Sequence, residues 1–157
     1  MDKIKALIDG IDLENGLEKI MPDLQGLLDS LVPIMEWAVQ VGPIVLLFFG
    51  LIYLLIPPKE ANHYMGFRTY FGMGSIEAWR FTQRIAGIVT TLLGLVLLLV
   101  MRSTAKGFAE MDAYDMMMKA GKCLIWQAVL VLISYICISI TAAVFFNRNG
   151  ERRFGKK

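Results

Sequence analysis

Residues 38–57 of the chain read AVQVGPIVLLFFGLIYLLIP, a stretch without a single charged side chain. An α-helix rises about 1.5 Å per residue, so this stretch is about 30 Å long, which is the thickness of the hydrocarbon core of a bilayer. A helix in the core of a soluble protein keeps a charged face toward water, and this stretch has none. The stretch therefore predicts a transmembrane helix.

Two more apolar runs follow, IAGIVTTLLGLVLLLVM at residues 85–101 and CLIWQAVLVLISYICISITAAVFF at residues 123–146. The shorter run reaches only about 25 Å, but Arg84 and Arg102 at its ends can extend their charged groups to the two interfaces. We expect an all-α integral membrane protein with three transmembrane helices, at about 38–57, 76/85–101 and 123–146. A separate short, methionine-rich helix is expected over 108–120.

Residues 1–32 predict an amphipathic helical segment in front of the membrane domain, which would comprise residues 33–157. Leucine, isoleucine and methionine recur there at helical spacing, with acids and lysines between them. Seven acids against three lysines argue against adsorption to anionic lipid. We expect this segment to pack on the other helices of the chain or on a second copy, so a homo-oligomer is one expected assembly.

The charge distribution bears on topology. The tail, residues 147–157, is basic, as cytoplasmic tails commonly are. With the N-terminus outside, the inner segments hold nine Lys and Arg and the outer segments seven, so the positive-inside rule favours a cytoplasmic C-terminus. The formal net charge of +2 is too small to indicate a nucleic-acid partner.

The connection between the first two runs, residues 58–84, is the most polar part of the membrane domain; we call it the signature region. Pro57 and Pro58 end the first helix, because proline lacks the donor N–H and clashes with the preceding turn. A loop is expected as far as Gly74. Ser75 is a good N-cap, and Glu77 in the first turn suits the positive end of the helix dipole, so the second helix is expected from Ile76.

On that helix Glu77, Arg80 and Arg84 form one polar stripe. The adjacent face is a line of Trp79, Gln83, Gly87, Thr91 and Gly94, whose small members let another helix approach closely. Arg68, in the loop, can pair with Glu77 or with an external carboxylate, phosphate or peptide C-terminus. The plainer interpretation is that the arginines hold lipid headgroups and that Trp79 is an interfacial anchor.

The sequence NHYMGFRTYFGMGSIEAWRFTQRIAG, preceded by a helix that ends in prolines, resembles the SdpI family of bacterial membrane immunity proteins. The resemblance covers roughly residues 43–101. It implies a membrane location and a role in immunity to, or sensing of, a peptide toxin. The residues expected to form the signature and binding platform are Asn62, Gly66, Arg68, Thr69, Ser75, Glu77, Trp79, Arg80, Gln83 and Arg84.

The first functional hypothesis is a non-enzymatic immunity or resistance protein in the bilayer, which binds a membrane-active peptide toxin or its target and reports to a cytoplasmic regulatory protein. The alternative is a small oligomeric transporter or channel component, although the spans carry only uncharged polar side chains. An enzyme is disfavoured, because His63 has no partner at ligand spacing and no catalytic pair converges in the membrane. No catalytic residue, metal site or cofactor is expected.

Overall fold

The computed structural model describes residues 24–57 and 66–154. Within these residues the fold is all-α, with α1 at Leu24–Leu55, α2 at Ile76–Ala105 and α3 at Ala113–Phe145. A short 3₁₀ turn, Phe108–Glu110, joins the last two helices. Each of the three helices contains a segment long and apolar enough to cross a membrane, so the three predicted spans are confirmed.

The helices extend beyond the predicted spans. The prediction of a separate helix over 108–120 is wrong, because α3 begins at Ala113 and runs on without a break. Gly121 lies within this helix without interrupting it, and a Cβ at this position would meet nothing within 4 Å. Most of the predicted N-terminal segment, together with Asn62, lies outside the described residues, and positions 24–32 form the first turns of α1.

Helix α1 contains two prolines, Pro33 and Pro43, and remains helical through both. Proline has no N–H, so the Val39 carbonyl, four residues before Pro43, lacks its ordinary helical donor. The buried side chain of Gln127 in α3 supplies a replacement, because its Nε2 donates to the Val39 carbonyl over 2.9 Å. Gly42 makes room for this contact, since a Cβ there would lie 2.6 Å from Gln127 Oε1. A single side chain thus links α3 to the proline-containing turn of α1.

The α1–α2 interface is built on glycines. A Cβ on Gly94 would lie 2.7 Å from the backbone nitrogen of Leu47, and one on Gly87 would lie 2.9 Å from the Leu54 side chain. Gly50 faces α2 in the same way, with Thr91 Oγ1 2.5 Å from a Cβ built there. Small residues let helix backbones approach closely in a bilayer, where burial of apolar surface gives little driving force. The predicted small-residue line on α2 is confirmed, and its partner is α1.

The three helices run up, down and up, which gives the bundle two distinct ends. One end holds Pro57, residues 66–84 and residues 146–154, and we call it the polar end. At the other end a buried apolar cluster joins the three helices and the 3₁₀ turn, around Val39, Met101, Phe108 and Met116. The signature region and the segment after α3 are therefore on the same side of the bundle.

Candidate functional site

The start of α2 is fixed by the local chemistry of Ser75. Its backbone is extended, and its Oγ accepts the N–H of Ala78 over 3.1 Å. A side-chain N-cap of this kind stabilises a helix by about 1 kcal/mol relative to alanine. Glu77 lies in the first turn, near the positive end of the helix dipole. The predicted N-cap and helix start are confirmed.

Gln83 holds the loop 66–75 onto α2. Its Oε1 accepts the N–H of Phe67 over 2.7 Å, and its Nε2 donates to the Phe67 carbonyl over 2.7 Å. The Gln83 side chain is completely buried. One amide group thus satisfies both backbone groups of one loop residue, which fixes the height and orientation of the loop above the helix.

Trp79 lies one turn before Gln83 and forms the floor under Gly66. A Cβ on Gly66 would lie 2.5 Å from Trp79 Cζ2, and Gly66 has φ of 118°, a conformation that favours glycine. Trp79 is 0% exposed. The interpretation of Trp79 as an interfacial anchor is therefore wrong: the indole is covered by the chain's own loop, which displaces lipid and water from it.

Thr69 shapes the second half of the loop. Its Oγ1 accepts the N–H of Gly72 over 3.0 Å, and its carbonyl accepts the N–H of Met73 over 3.2 Å. Gly72 packs between Thr69 and Thr82, because a Cβ there would lie within 2.6 Å of both hydroxyl oxygens. Thr69 is 4% exposed, so its role in the structure is to close this turn.

The residues after α3 fold back onto the loop. Asn147 Oδ1 accepts the N–H groups of Asn149 and Glu151, which turns the chain, and Gly150 follows with φ of 74°. Ser75 Oγ donates to the Gly150 carbonyl over 2.6 Å. A Cβ on Gly150 would overlap the backbone between Gly74 and Ser75. We call residues 146–153 the tail turn; it closes against the start of α2.

An ion pair and an aromatic contact accompany this closure. Arg152 Nε lies 2.7 Å from Glu77 Oε1, so Glu77 pairs with a residue of the tail turn, whereas the sequence analysis named Arg68 as one possible partner. Both side chains are about half exposed, and such pairs contribute only about 0 to 1 kcal/mol. The Arg152 guanidinium also lies 6.0 Å from the centre of the Phe146 ring. The pair orients the tail turn more than it stabilises it.

These contacts divide the predicted platform into two groups. Gly66, Thr69, Ser75, Trp79 and Gln83 face inward or bond to backbone, and they build the loop. Arg68, Glu77, Arg80 and Arg84 are exposed. The structure thus brings the described members of the platform together at one end of the bundle, and only the second group is exposed at its surface.

The loop also forms one wall of a groove against α3, about 390 Å³ in volume, which is within the range of about 300 to 1,000 Å³ typical of ligand sites. We call it the loop–α3 groove; it is lined by Thr69, Tyr70, Phe71, Tyr135, Ile136, Ser139, Ile140 and Ala143. Tyr70 is 71% exposed at its rim. The Tyr135 ring packs 5.3 Å from Phe67, and its hydroxyl donates to the Arg68 carbonyl over 3.4 Å.

The sequence reasoning missed the tail turn and Tyr135. The tail was expected only as a basic segment, although the letters NRNG at residues 147–150 are typical of a turn. Nothing in the sequence signals Tyr135, because its partners lie in a loop almost 70 positions away. Among the described residues, no group of His, Cys, Asp and Glu is placed to hold a metal ion.

The three long apolar helices define a multi-pass membrane protein. The model of the SdpI/YfhL protein family matches residues 59–146, which include all but the first residue of the signature region, α2 and α3. The chain belongs to this family, as the signature motifs predicted. No curated protein matches the chain. No solved structure matches it either.

Proposed function

We propose that the chain is a non-enzymatic immunity-type membrane protein that binds an amphipathic peptide segment at its polar end. The family supplies the immunity-type role. The observation that carries the binding proposal is the rigid loop 66–75, which Gln83 and the tail turn hold in place while its Tyr70 side chain stays exposed. A fixed aromatic group on a rigid frame binds at little entropic cost.

The loop–α3 groove has the chemistry for an amphipathic peptide. Its floor is apolar, with Ile136 and Ile140, and its rim carries the aromatic side chains of Tyr70 and Tyr135. Apolar side chains of a peptide lying at the bilayer interface would pack against Ile136 and Ile140, which are both exposed.

A survival assay tests this proposal. A sensitive bacterial strain would express the wild-type chain, Tyr70→Ala or Tyr114→Ala and be challenged with a panel of membrane-active peptides. Tyr114 is 73% exposed at the opposite end of the bundle, so Tyr114→Ala is a matched control that also removes an exposed tyrosine. We expect wild type and Tyr114→Ala to protect against at least one peptide, and Tyr70→Ala to lose about tenfold or more of that protection at equal membrane abundance. Equal protection by all three proteins would show that the peptide does not bind at the loop–α3 groove. No protection by wild type would show that the chain does not confer immunity to the peptides tested.

The side that the polar end faces decides which peptide segment meets the groove. An external polar end would meet the toxin itself, and a cytoplasmic one, which the positive-inside rule favours, would meet a regulatory protein or a peptide that has crossed the bilayer. Tyr70→Cys and Glu110→Cys, each in a Cys123→Ala/Cys137→Ala background, would be labelled on intact cells with a membrane-impermeant maleimide. We expect labelling at 110 and not at 70; the reverse pattern would overturn the predicted orientation.

The transporter alternative gains no support from the contacts within the spans. Four of the polar side chains there, Thr90, Gln127, Ser134 and Thr141, donate to backbone carbonyls of their own or a neighbouring helix. These bonds satisfy those four groups within the protein, as membrane helices require. A polar pathway for a solute would need such groups to face a shared cavity.

A further inference from the structure

Arg80 and Arg84 form a separate cationic feature that the peptide proposal does not use. They are one helical turn apart on α2, and both are exposed. The ion pair found among the described residues joins Arg152 to Glu77 and does not include Arg80 or Arg84. They are followed along the same face by exposed Ile88. The pair therefore continues a stripe that faces lipid.

The level of this pair in the bilayer follows from the spacing of charges on α2. After Arg84 the next charged residue is Arg102, about 27 Å further along the helix. This distance is close to the hydrocarbon thickness of about 30 Å, so Arg84 lies where headgroups meet hydrocarbon. Ser75, the N-cap of α2, lies further out. Arg80 and Arg84 are thus at the depth of lipid phosphates.

Two grooves flank the pair, and both arginines line each of them. On one side the wall is the end of α1, from Tyr53 to Pro57. On the other side the groove is lined by Ile76, Phe81, Ile85 and the Glu77–Arg152 pair. An anionic lipid supplies one phosphate for the two guanidinium groups. Its glycerol region fits beside them in these grooves, and its acyl chains continue past the exposed Ile88 into the hydrocarbon.

We propose that Arg80 and Arg84 bind the phosphate of an anionic phospholipid, whose acyl chains extend from this level along α2 into the hydrocarbon. Guanidinium groups bind phosphate through paired, charge-assisted hydrogen bonds. The charge complementarity commits the site to an anionic lipid, because the quaternary amine of a zwitterionic headgroup would add a cation beside two arginines. The proposal is independent of peptide binding at the loop–α3 groove.

Native mass spectrometry of the protein released from nanodiscs tests the proposal. The nanodiscs would contain equal amounts of phosphatidylglycerol and phosphatidylcholine, and the full chain would be compared with Arg80→Gln/Arg84→Gln. Arg102→Gln is the matched control, since Arg102 is also exposed and lies on the same helix at the opposite interface. Unchanged Tm values would show that the substitutions leave the fold intact.

We expect wild type and Arg102→Gln to retain phosphatidylglycerol in preference to phosphatidylcholine. In the double variant the ratio of retained phosphatidylglycerol to phosphatidylcholine should fall about thirtyfold, because each arginine near an anionic surface contributes about 1 kcal/mol. Equal retention by all three proteins would overturn the site. Stabilisation of the lipid-free protein by inorganic phosphate to the same extent as by phosphatidylglycerol would identify a free-anion site instead. A shift from dimer to monomer in the double variant, with lipid retention unchanged, would show that a second copy covers this face.

Discussion

Replacing Gln127 by leucine removes the donor that reaches the Val39 carbonyl. That carbonyl has no helical donor, because the residue four positions later is Pro43. Inside a bilayer water cannot take the place of the missing partner. We therefore expect Gln127→Leu to lower the free energy of unfolding by about 1 to 2 kcal/mol, the range found for interhelical hydrogen bonds in membranes and for orphaned buried acceptors.

A variant without the proline tests whether Gln127 replaces the missing donor. In a Pro43→Ala variant the new N–H of residue 43 donates to the Val39 carbonyl, so the glutamine is no longer needed there. Gln127→Leu should then cost about 0.5 kcal/mol or less. The difference between the two backgrounds gives a coupling energy of about 1 kcal/mol, and it cancels the loss of the proline ring's own packing.

The assay is reversible unfolding by SDS in mixed micelles, followed by circular dichroism, on wild type, both single variants and the double variant. Gln40→Leu is the control. Gln40 Nε2 donates over 2.9 Å to the Glu36 carbonyl of its own helix, which the Gln40 backbone N–H also serves, so its loss should cost little. A cost for Gln127→Leu that is the same in both backgrounds would refute the idea that this side chain replaces the missing proline donor.

Three further substitutions test the loop, the tail turn and the helix interface. Gln83→Leu removes two buried hydrogen bonds to Phe67 and should lower the unfolding free energy by about 2 kcal/mol in the same assay; an unchanged value would contradict the clamp. Gly150→Ala should release the tail turn, because a left-handed backbone at a residue with a Cβ costs about 1 to 2 kcal/mol, and trypsin should then cleave the tail turn about ten times faster. The control Gly121→Ala should be cleaved there at the wild-type rate. Gly94→Val should lower the unfolding free energy by about 1 to 3 kcal/mol and Gly121→Val by less than about 1 kcal/mol; equal costs would argue against a close α1–α2 contact.

The three spans could be predicted from the sequence because bilayer thickness sets a minimum length that few soluble segments reach. The start of α2 was equally accessible, since Ser75 and Glu77 act within one turn of the helix. The starts of α1 and α3 were misjudged because charged and polar residues, such as Asp115, continue a helix beyond the membrane without any break in the backbone pattern. Apolar length marks the membrane, and it does not mark where a helix begins.

The contacts between distant segments could not be predicted, because nothing local encodes them. Ser75 and Gly150 are separated by 75 positions, and their hydrogen bond depends on three helices running up, down and up. The same holds for Gln127 and Val39, which are 88 positions apart. In each case one residue has an incomplete set of hydrogen bonds in its own element, and only the packing of the helices shows which side chain completes it.

The signature region shows why a family pattern alone does not identify a binding surface. Gln83 and Arg84 are neighbours in the sequence and both are polar, yet Gln83 is fully buried and holds the loop, whereas Arg84 is exposed beside two apolar grooves. A Gln83 variant that loses function would therefore do so because its loop is displaced, and its free energy of unfolding should also be lower. Loss of function in an Arg84 or Tyr70 variant at unchanged stability would report a lost contact with lipid or peptide. Measuring stability beside function in every variant separates the residues that build the polar end from those that use it.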